Sequence, residues 1–329
     1  MLQDAYNRKI DYLRISVTDR CNLRCVYCMP AEGIAHKPHS DILSFEDIYR
    51  IVKVAAGLGI RKIRITGGEP LVRKEIASLI SKLRSIKGVD EIALTTNGIR
   101  LYEYARELKS AGLDRVNVSL DSLIPERFDK ITRGGDLKSV LKGIDLLFSL
   151  GLTPVKINKV LLRGFNEDEI MAFAELTRSN PIDLRFIEYM PVCSGGSFRS
   201  NFFFSAREAS VICAKALGEL VPIYNSGHST ARVFRIGGFC GTIGFISPIS
   251  APFCRSCNKL RLTADGFLKG CLNSPQGTDL KDPMRKNITD EGLGFLIEEA
   301  VAKKPASHNL SRVPLGRDSK DFSMCKIGG

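Results

Sequence analysis

The sequence of 329 residues has no run of about 18 apolar residues, the length that a membrane-spanning helix needs. Its first fifteen residues also lack the apolar stretch of a secretion signal. These two absences predict a cytoplasmic protein with no membrane partner. Structural disulfides are rare in that compartment, so we expect the ten cysteines to bind metal or to lie buried.

No block of five or more consecutive lysine and arginine residues is present, although the formal net charge is +12. Basic and acidic residues are interspersed, so the charge does not form a nucleic-acid-binding arm, and we expect no nucleic-acid partner. A basic surface, or a pocket for a phosphorylated small molecule, explains the same charge. The apolar fraction of 44% is that of a globular protein with a full core.

Short apolar runs alternate with amphipathic segments from residue 11 to about residue 190, and this alternation predicts parallel strands joined by helices. Six units form either an open doubly wound sheet or a partial barrel. Polar or glycine-rich segments follow nearly every strand, which favours the barrel, because barrel enzymes carry their chemistry on the loops after the strands. The predicted strands are 12–17, 61–66, 91–96, 114–120, 153–160 and 182–189.

After residue 191 the alternation of strands and helices stops, and the sequence becomes typical of a helix followed by antiparallel strands. The predicted fold class is therefore α/β. An incomplete (β/α)6 TIM-like barrel is expected over 1–190. A smaller C-terminal α+β segment, 191–329, is expected to close the open side of the barrel.

Three cysteines lie within eight residues, at Cys21, Cys25 and Cys28. A structural zinc site would need a fourth ligand, which His36 or His39 could supply. An iron–sulfur cubane held by three thiolates instead leaves one iron open to a small molecule. We favour the cubane.

A second set of three cysteines follows near the end of the sequence, at Cys254, Cys257 and Cys271. Its C-x-x-C pair is also typical of a zinc knuckle or a redox pair. No histidine lies between residues 229 and 307, so a Cys₃His zinc site would need a distant ligand. Three thiolates again favour a cubane with one open iron. The remaining cysteines match no motif and are expected to be buried or free thiols: Cys193, Cys213, Cys240 and Cys325.

On four predicted strands a cation stands between two apolar residues. These cations are Arg14, Arg64, Lys156 and Arg185, and Lys62 shares the phase of Arg64. Since side chains of a strand alternate between its two faces, the apolar neighbours pack under the helices and the cations point into the barrel. Buried cations without an anionic partner are costly, so we expect a polyphosphate ligand.

The spacing C-x-x-x-C-x-x-C, with Tyr27 before the last cysteine, resembles the signature of the radical S-adenosylmethionine superfamily. The segment TGGEP at 66–70 resembles the glycine-glycine-glutamate element of that superfamily, which contacts the methionyl amine. The resemblance implies that S-adenosylmethionine binds the open iron of a 4Fe-4S cluster. It also implies that the reduced cluster cleaves the cofactor to a 5′-deoxyadenosyl radical, which abstracts hydrogen. The protein then contributes orientation and exclusion of side reactions.

Within that superfamily, the two cysteine sets, the stretch CNKLRLTADG at 257–266 and the final Gly328-Gly329 resemble the family of GTP 3′,8-cyclases of molybdenum cofactor biosynthesis. The resemblance covers nearly the whole chain. It implies that a second 4Fe-4S cluster holds the guanine of GTP. It also implies that hydrogen leaves the ribose 3′ position and that this carbon attacks carbon 8, giving 3′,8-cyclo-7,8-dihydro-GTP.

The same resemblance implies partners and functional residues. The partners are an electron donor of the flavodoxin or ferredoxin type, a second copy in a homodimer, and cyclic pyranopterin monophosphate synthase, which receives the product. The implied catalytic residues are Arg14, Lys259, Arg261, Gly328 and Gly329. The implied S-adenosylmethionine contacts are Tyr27, Gly68, Ser119 and Met190. The implied GTP contacts are Arg14, Lys62, Arg64, Thr95, Lys156, Arg185, Lys259, Leu260 and Arg261. The implied cluster ligands are Cys21, Cys25, Cys28, Cys254, Cys257 and Cys271.

Two details of these residues carry further expectations. The double glycine resembles a tail that threads into the active site, where residues without side chains approach a substrate closely. Lys259 stands where the family usually has arginine, so the charge is kept but the planar, bidentate fork is lost. We expect function to be retained with altered contact geometry.

Two other functions fit parts of the sequence. Another radical S-adenosylmethionine enzyme with an auxiliary cluster, acting on a peptide or on RNA, predicts a different cysteine pattern in the C-terminal segment or an added RNA-binding module. A metal-bound nucleic-acid-binding protein would explain the net charge, but neither the TGGEP segment nor the cations that share a phase on the strands.

Overall fold

The structure, a computed structural model, describes residues 1–190, 200–223, 230–274 and 277–308. Within these ranges twelve strands belong to one sheet. The strands are β1 (Tyr12–Ser16), β2 (Lys62–Thr66), β3 (Glu91–Thr96), β4 (Arg115–Ser119), β5 (Val155–Leu161), β6 (Ile182–Glu188), β7 (Val221–Ile223), β8 (Arg232–Arg235), β9 (Thr242–Ile246), β10 (Lys259–Leu262), β11 (Phe267–Lys269) and β12 (Thr278–Asp279). All six strands that the sequence predicts are confirmed as β1 to β6.

Helices connect the first six strands. They are α1 (Phe45–Leu58), α2 (Ile76–Arg84), α3 (Leu101–Ser110), α4 (Pro125–Thr132), α5 (Leu137–Ser149) and α6 (Ile170–Ser179). Three more helices follow: α7 (Ala206–Leu217), α8 (Lys281–Arg285) and α9 (Asp290–Ala302). Strands β1 to β6 run parallel and neighbour one another in sequence order, which confirms the predicted α/β class.

The segment after residue 190 adds strands at both edges of the sheet. Strand β9 pairs parallel with β6, and β10 pairs parallel with β1. Antiparallel strands continue outward from each, with β8 and β7 beyond β9, and β11 and β12 beyond β10. The antiparallel strands were expected from the sequence, whereas the parallel pairing of β9 and β10 was not. The division of the chain into 1–190 and 191–329 stays a prediction.

The helix α1 shows how the sequence specifies these elements. Ser44 accepts a hydrogen bond from the Asp47 backbone at 3.0 Å, and the Asp47 carboxylate accepts one from the Ser44 backbone at 2.9 Å. This capping box fixes the start of the helix. The helix ends at Gly59, whose φ of 116° lies in the left-handed region.

The core lies between the helices and one face of the sheet. On β1, Leu13 and Ile15 are buried in this core, and on β2, Ile63 and Ile65 occupy the equivalent positions. Because strand side chains alternate, the residues between them point to the opposite, inner face of the sheet. The inner face therefore carries the polar side chains that form the candidate site.

Candidate active site

A cavity of about 700 Å³ lies on the inner face of the sheet. It is lined by alternate residues of β1 to β6 and β10, and by the loops that carry both cysteine sets. Of the residues that the sequence predicts, the cavity brings together Arg14, Cys21, Cys25, Tyr27, Cys28, Lys62, Arg64, Gly68, Thr95, Ser119, Lys156, Arg185, Met190, Cys254, Cys257, Lys259, Arg261 and Cys271.

A few predicted residues lie elsewhere. The side chain of Leu260 packs in the hydrophobic core, because it alternates with Lys259 and Arg261 on β10. Gly328 and Gly329 lie outside the described residues, as do the unassigned Cys193 and Cys325. Of the other unassigned cysteines, Cys213 is buried in the core, as expected for a small apolar residue, and Cys240 is exposed.

Strand register places four arginines in one layer of the cavity, here called the arginine row. Arg14 on β1 is the register partner of Arg261 on β10 and of Arg64 on β2. Ala93 on β3 continues the layer, and its partner on β4 is Arg115. The sequence analysis did not single out Arg115, although it shares the phase of Ser119 on the same strand.

Burial acts strongly on the cations of this cavity. Desolvation lowers the pKa of Arg64, and desolvation together with Arg261 and Arg64 lowers the pKa of Arg14. The pKa of Lys156 falls to about 7, mainly through burial and then through the charges of Arg185 and Arg115. The pKa of Lys259 also falls to about 7, again mainly through burial. The cavity therefore favours an anion, which would offset this accumulated positive charge.

A second layer, here called the polar row, lies two residues nearer the carboxyl ends of the strands. It contains Thr95, Asn117, Lys156 and Asp183 on successive strands β3 to β6. The Asp183 carboxylate lies 3.4 Å from Lys156 Nζ and 3.3 Å from Arg185 Nη2, and it accepts a hydrogen bond from Thr242 at 2.6 Å. One carboxylate thus compensates two cations, a pairing that the sequence analysis missed.

Lys259 lies near an aromatic ring, at the end of the cavity where strands β1 and β10 begin. Its Nζ is 5.4 Å from the ring centroid of Tyr12, and the guanidinium carbon of Arg64 is also 5.4 Å from that centroid. Both cations lie within the range of cation–π attraction. Tyr12 lines the cavity beside them and was not predicted as a site residue.

The first cysteine loop is fixed by backbone contacts to the end of α4. Backbone amides of Arg24 and Val26 donate to the carbonyls of Thr132 and Ile131 at 3.0 and 2.9 Å. Within the loop, the Leu23 amide donates to Cys21 Sγ at 3.4 Å. The loop conformation therefore holds its three thiols at the cavity.

The glycine-glycine-glutamate segment packs directly on this loop. The Gly68 amide donates to the carbonyl of Thr18 at 2.7 Å, and a Cβ at Gly68 would clash with the carbonyl oxygen of Arg20. Glu69 accepts hydrogen bonds from Thr96 Oγ1 at 2.7 Å and from the Asn97 amide at 2.6 Å. Burial raises the pKa of Glu69 to about 7. The segment thus ties together the carboxyl ends of β1, β2 and β3.

Tyr27 connects the cysteine loop to the opposite wall. Its hydroxyl donates to Asp121 Oδ2 at 2.5 Å, and Asp121 Oδ1 accepts from the Val160 amide at 2.8 Å. Burial raises the pKa of both Tyr27 and Asp121. This contact holds the ring of Tyr27 at the edge of the cavity.

The second cysteine set is organised by two buried cations that the sequence analysis missed. Lys304, which is 3% exposed, donates to Cys257 Sγ at 3.5 Å, to the Lys259 carbonyl at 2.9 Å and to the Gly270 carbonyl. Burial alone would raise the pKa of Cys257. Lys304 and other neighbours lower this pKa by a larger amount, so the pKa of Cys257 lies below its usual range. Arg8 donates to the Cys254 carbonyl at 2.8 Å.

The donor chemistry of the cavity fits iron–sulfur clusters and an organic anion. Each cysteine set offers three thiols without a disulfide among the described cysteines, which is the ligand type that a cubane takes. Within the described ranges, no three His, Cys, Asp or Glu side chains are grouped so as to hold a single metal ion. Arg64 Nε, Thr95 Oγ1 and Asn117 Oδ1 are buried at the cavity and have no hydrogen-bond partner among the residues that the structure describes, so they are available to a ligand.

Comparison with known proteins matches both halves of the chain. Residues 15–177 match the Radical SAM superfamily, and residues 182–310 match Molybdenum Cofactor Synthesis C. The GTP 3′,8-cyclase of Alkaliphilus metalliredigens (strain QYMF) is 48% identical over 328 residues, covering 100% of both chains. The chain belongs to the GTP 3′,8-cyclase family.

Further relatives of this family agree. The GTP 3′,8-cyclase of Peptoclostridium acidaminophilum is 49% identical over 331 residues, which cover 100% of this chain and 98% of the relative. Family membership makes the chain a radical S-adenosylmethionine enzyme, and it implies that cofactor and a 4Fe-4S cluster. The expectation of S-adenosylmethionine and one 4Fe-4S cluster is thereby confirmed at the level of the family, whereas the assignment of that cluster to Cys21, Cys25 and Cys28 stays a prediction.

Among solved structures, Streptococcus suis SuiB bound to S-adenosylmethionine has a TM-score of 0.60 at 16% identity, covering 97% of this chain and 72% of that chain. Streptococcus suis SuiB alone has a TM-score of 0.62 at 15% identity. This likeness confirms the predicted partial-barrel fold. In the described part of the chain, no helix is both long enough and apolar enough to span a bilayer.

Proposed function

We propose that this enzyme converts GTP to 3′,8-cyclo-7,8-dihydro-GTP by removing the hydrogen at the ribose 3′ carbon and joining that carbon to carbon 8 of guanine. One observation supports this most strongly: a single cavity contains both cysteine sets and the arginine row. Such a cavity suits a substrate that carries a polyphosphate at one end and a metal-binding base at the other.

The residues that would bind the cofactor lie at the carboxyl ends of the strands or on the loops that follow them. Cys21, Cys25 and Cys28 would hold the 4Fe-4S cluster, with S-adenosylmethionine at its open iron. When bound, these groups supply the one-electron chemistry that removes a hydrogen atom from a C–H bond. The side chains and backbone that would contact the cofactor are Tyr27, Gly68, Ser119 and Met190, all of which line the cavity.

The substrate would lie deeper among the cations. The cavity is lined by cations from the four strands β1, β2, β5 and β6, namely Arg14, Lys62, Arg64, Lys156 and Arg185. These cations would surround the triphosphate of GTP. Thr95 would contribute a hydroxyl that has no hydrogen-bond partner in the described part of the chain. A second 4Fe-4S cluster, held by Cys254, Cys257 and Cys271, would bind the guanine.

Five residues are proposed to act near the reacting atoms. They are Arg14, Lys259 and Arg261 on the strands, and Gly328 and Gly329 in the tail. The strand cations would compensate charge on the nucleotide, while the glycines would approach it closely because they have no side chains. Leu260 would contribute only through its backbone, since its side chain faces the core.

Hydrogen and electron balance defines the other partners. The product is an isomer of GTP, so the hydrogen atom lost from the 3′ carbon is matched by one electron and one proton gained on ring closure. An external donor must supply electrons, and we propose a flavodoxin or ferredoxin. We also propose a cytoplasmic homodimer that passes its product to cyclic pyranopterin monophosphate synthase.

The test uses the full chain reconstituted with iron and sulfide without oxygen. Two cubanes predict about eight irons per chain. With S-adenosylmethionine and a reductant, the protein should convert GTP, but not ATP, to a product of unchanged mass. A rival function on nucleic acid predicts instead oligonucleotide binding that weakens steeply with salt, and no reaction of GTP.

A further inference from the structure

The buried side chain of Asn117 points an unsatisfied oxygen into the cavity. Asn117 is 1% exposed, lies on β4 and lines the cavity. Its Oδ1 atom has no hydrogen-bond partner within the described ranges of the chain. An unsatisfied buried acceptor costs about 1–3 kcal/mol, so such atoms are kept where a ligand satisfies them. Neither the cluster motifs nor the cation pattern accounts for this residue.

The position of Asn117 along β4 lies between two different chemical environments. Two residues before it, Arg115 belongs to the arginine row. Two residues after it, Ser119 lies at the end where the cofactor is proposed to bind. A strand rises about 3.3 Å per residue, so Asn117 is roughly 6.6 Å along the strand from each of them. In register beside it lies Thr95, whose buried Oγ1 also lacks a partner among the described residues.

In the proposed binding mode, the ribose of GTP lies at the level of Asn117 along β4. If the triphosphate of GTP lies at the arginine row and the ribose 3′ carbon faces the cofactor, the ribose lies between the two. The ribose has two hydroxyl groups, each of which is a hydrogen-bond donor. An amide oxygen accepts such a donor without adding charge beside the triphosphate.

We propose that Asn117 accepts a hydrogen bond from one ribose hydroxyl of the nucleotide, and that it thereby positions the sugar and discriminates GTP from the deoxynucleotide that lacks that hydroxyl. This inference rests on the proposed function, because it needs GTP in the cavity. Asn117 is a substrate-contacting residue on this account, and Thr95 on the neighbouring strand is placed to contact the same sugar.

The experiment measures binding rather than turnover. GTP, 2′-deoxyGTP and 3′-deoxyGTP are titrated into the anaerobically reconstituted holoenzyme without S-adenosylmethionine, for the natural protein and for Asn117→Ala. The natural protein should bind one deoxynucleotide about tenfold more weakly than GTP, as expected for loss of one hydrogen bond and an acceptor left unsatisfied. Asn117→Ala should bind GTP about tenfold more weakly and should no longer distinguish it from that deoxynucleotide.

Two further variants provide the controls. Asn117→Asp keeps an acceptor oxygen at the same place, so it should retain the ratio between GTP and the deoxynucleotide even if overall affinity falls. Asn180→Ala removes an amide whose Nδ2 donates to the Leu176 carbonyl at 3.1 Å, away from the cavity lining, and should leave the ratio unchanged.

Two outcomes would overturn the inference. One is a natural protein that binds GTP and both deoxynucleotides equally well, and the other is an Asn117→Ala variant that keeps the natural ratios. Either result leaves GTP as the ligand and rejects only the role of Asn117. A natural protein that binds none of the three nucleotides would reject the proposed function itself.

Discussion

Arg14 and Arg64 lie side by side in the cavity, as register partners on the parallel strands β1 and β2. Adjacent parallel strands are about 4.8 Å apart, so these two half-buried side chains share one small region. Desolvation lowers the pKa of both. Two like charges this close repel each other, so a bound anion would stabilise both and would link the stability of the fold to ligand binding.

The first prediction concerns Arg64→Met. Removing this half-buried cation, whose Nε atom is buried, should raise the thermal midpoint of the ligand-free protein, because Met fills a similar volume without the desolvation cost. It should also weaken GTP binding by about 10- to 100-fold, since a hydrogen bond to a charged group contributes about 1.5–3 kcal/mol. Calorimetry with GTP and with guanosine checks this, and guanosine binding should change little. Equal losses for both ligands would show that Arg64 does not bind the triphosphate.

The second prediction is a fall in GTP affinity as the pH rises above neutrality. Lys156 and Lys259 both have a pKa of about 7, mainly through burial, so each is protonated below pH 7 and neutral above it. The triphosphate binds the protonated forms, and binding above about pH 7 must therefore take up protons. The affinity for GTP should decrease between about pH 6.5 and pH 8.5. Proton uptake on binding is measured by calorimetry as a binding heat that depends on the ionisation enthalpy of the buffer.

Variants of both lysines test which groups cause the pH dependence of GTP affinity. Lys156→Met should reduce the pH dependence, and Lys259→Arg should reduce it as well, because arginine stays charged throughout this range. Lys82→Met, at an exposed lysine paired with Glu46, is the control and should not change it. If GTP affinity depends on pH as strongly in both cavity variants as in the natural protein, another group is responsible for the pH dependence.

The third prediction concerns the close packing at Gly68. A Cβ there would clash with the carbonyl oxygen of Arg20, whereas a Cβ at Gly57 on α1 meets nothing within 4 Å. Gly68→Ala should displace the first cysteine loop, so that reconstituted protein holds about four irons rather than about eight. Gly57→Ala should keep the full iron content. Full iron content and normal S-adenosylmethionine binding in Gly68→Ala would contradict this role for the glycine.

The fourth prediction separates the second cysteine set from the first. Lys304→Met leaves the carbonyls of Lys259 and Gly270 and the sulfur of Cys257 without their buried donor. We expect loss of the second cluster, measured as about four irons per chain, with S-adenosylmethionine binding intact. Lys303→Met, at a neighbouring side chain that is 67% exposed, is the control. Retention of about eight irons in Lys304→Met would show that Lys304 is not needed to hold this cluster.

Local patterns in the sequence predicted much of the fold. The alternation of apolar and polar residues located β1 to β6, and the same alternation pointed Arg14 and Lys156 into the cavity. Ser44 and Asp47 form the capping box at the start of α1, which is likewise a local pattern of the sequence. These features depend only on neighbouring residues, so the sequence displays them directly.

Other features depend on contacts between distant residues and could not be predicted. Lys304 reaches Cys257 across 47 positions, and Arg8 reaches Cys254 across 246. Strands β9 and β10 join opposite edges of the parallel sheet, although their own sequences favour antiparallel hairpins. Asn117 was overlooked because a single amide in an apolar strand has no distinctive pattern. Its role follows only from burial and from the atoms around it.

The most direct measurement follows deuterium from GTP labelled at the ribose 3′ carbon, with GTP labelled at the 2′ carbon as the control. The reconstituted enzyme is incubated with S-adenosylmethionine and a reductant, and the 5′-deoxyadenosine formed is analysed by mass spectrometry. The account predicts deuterium in 5′-deoxyadenosine from the 3′ label alone. Deuterium from the 2′ label, or 5′-deoxyadenosine without deuterium from either substrate, would contradict it.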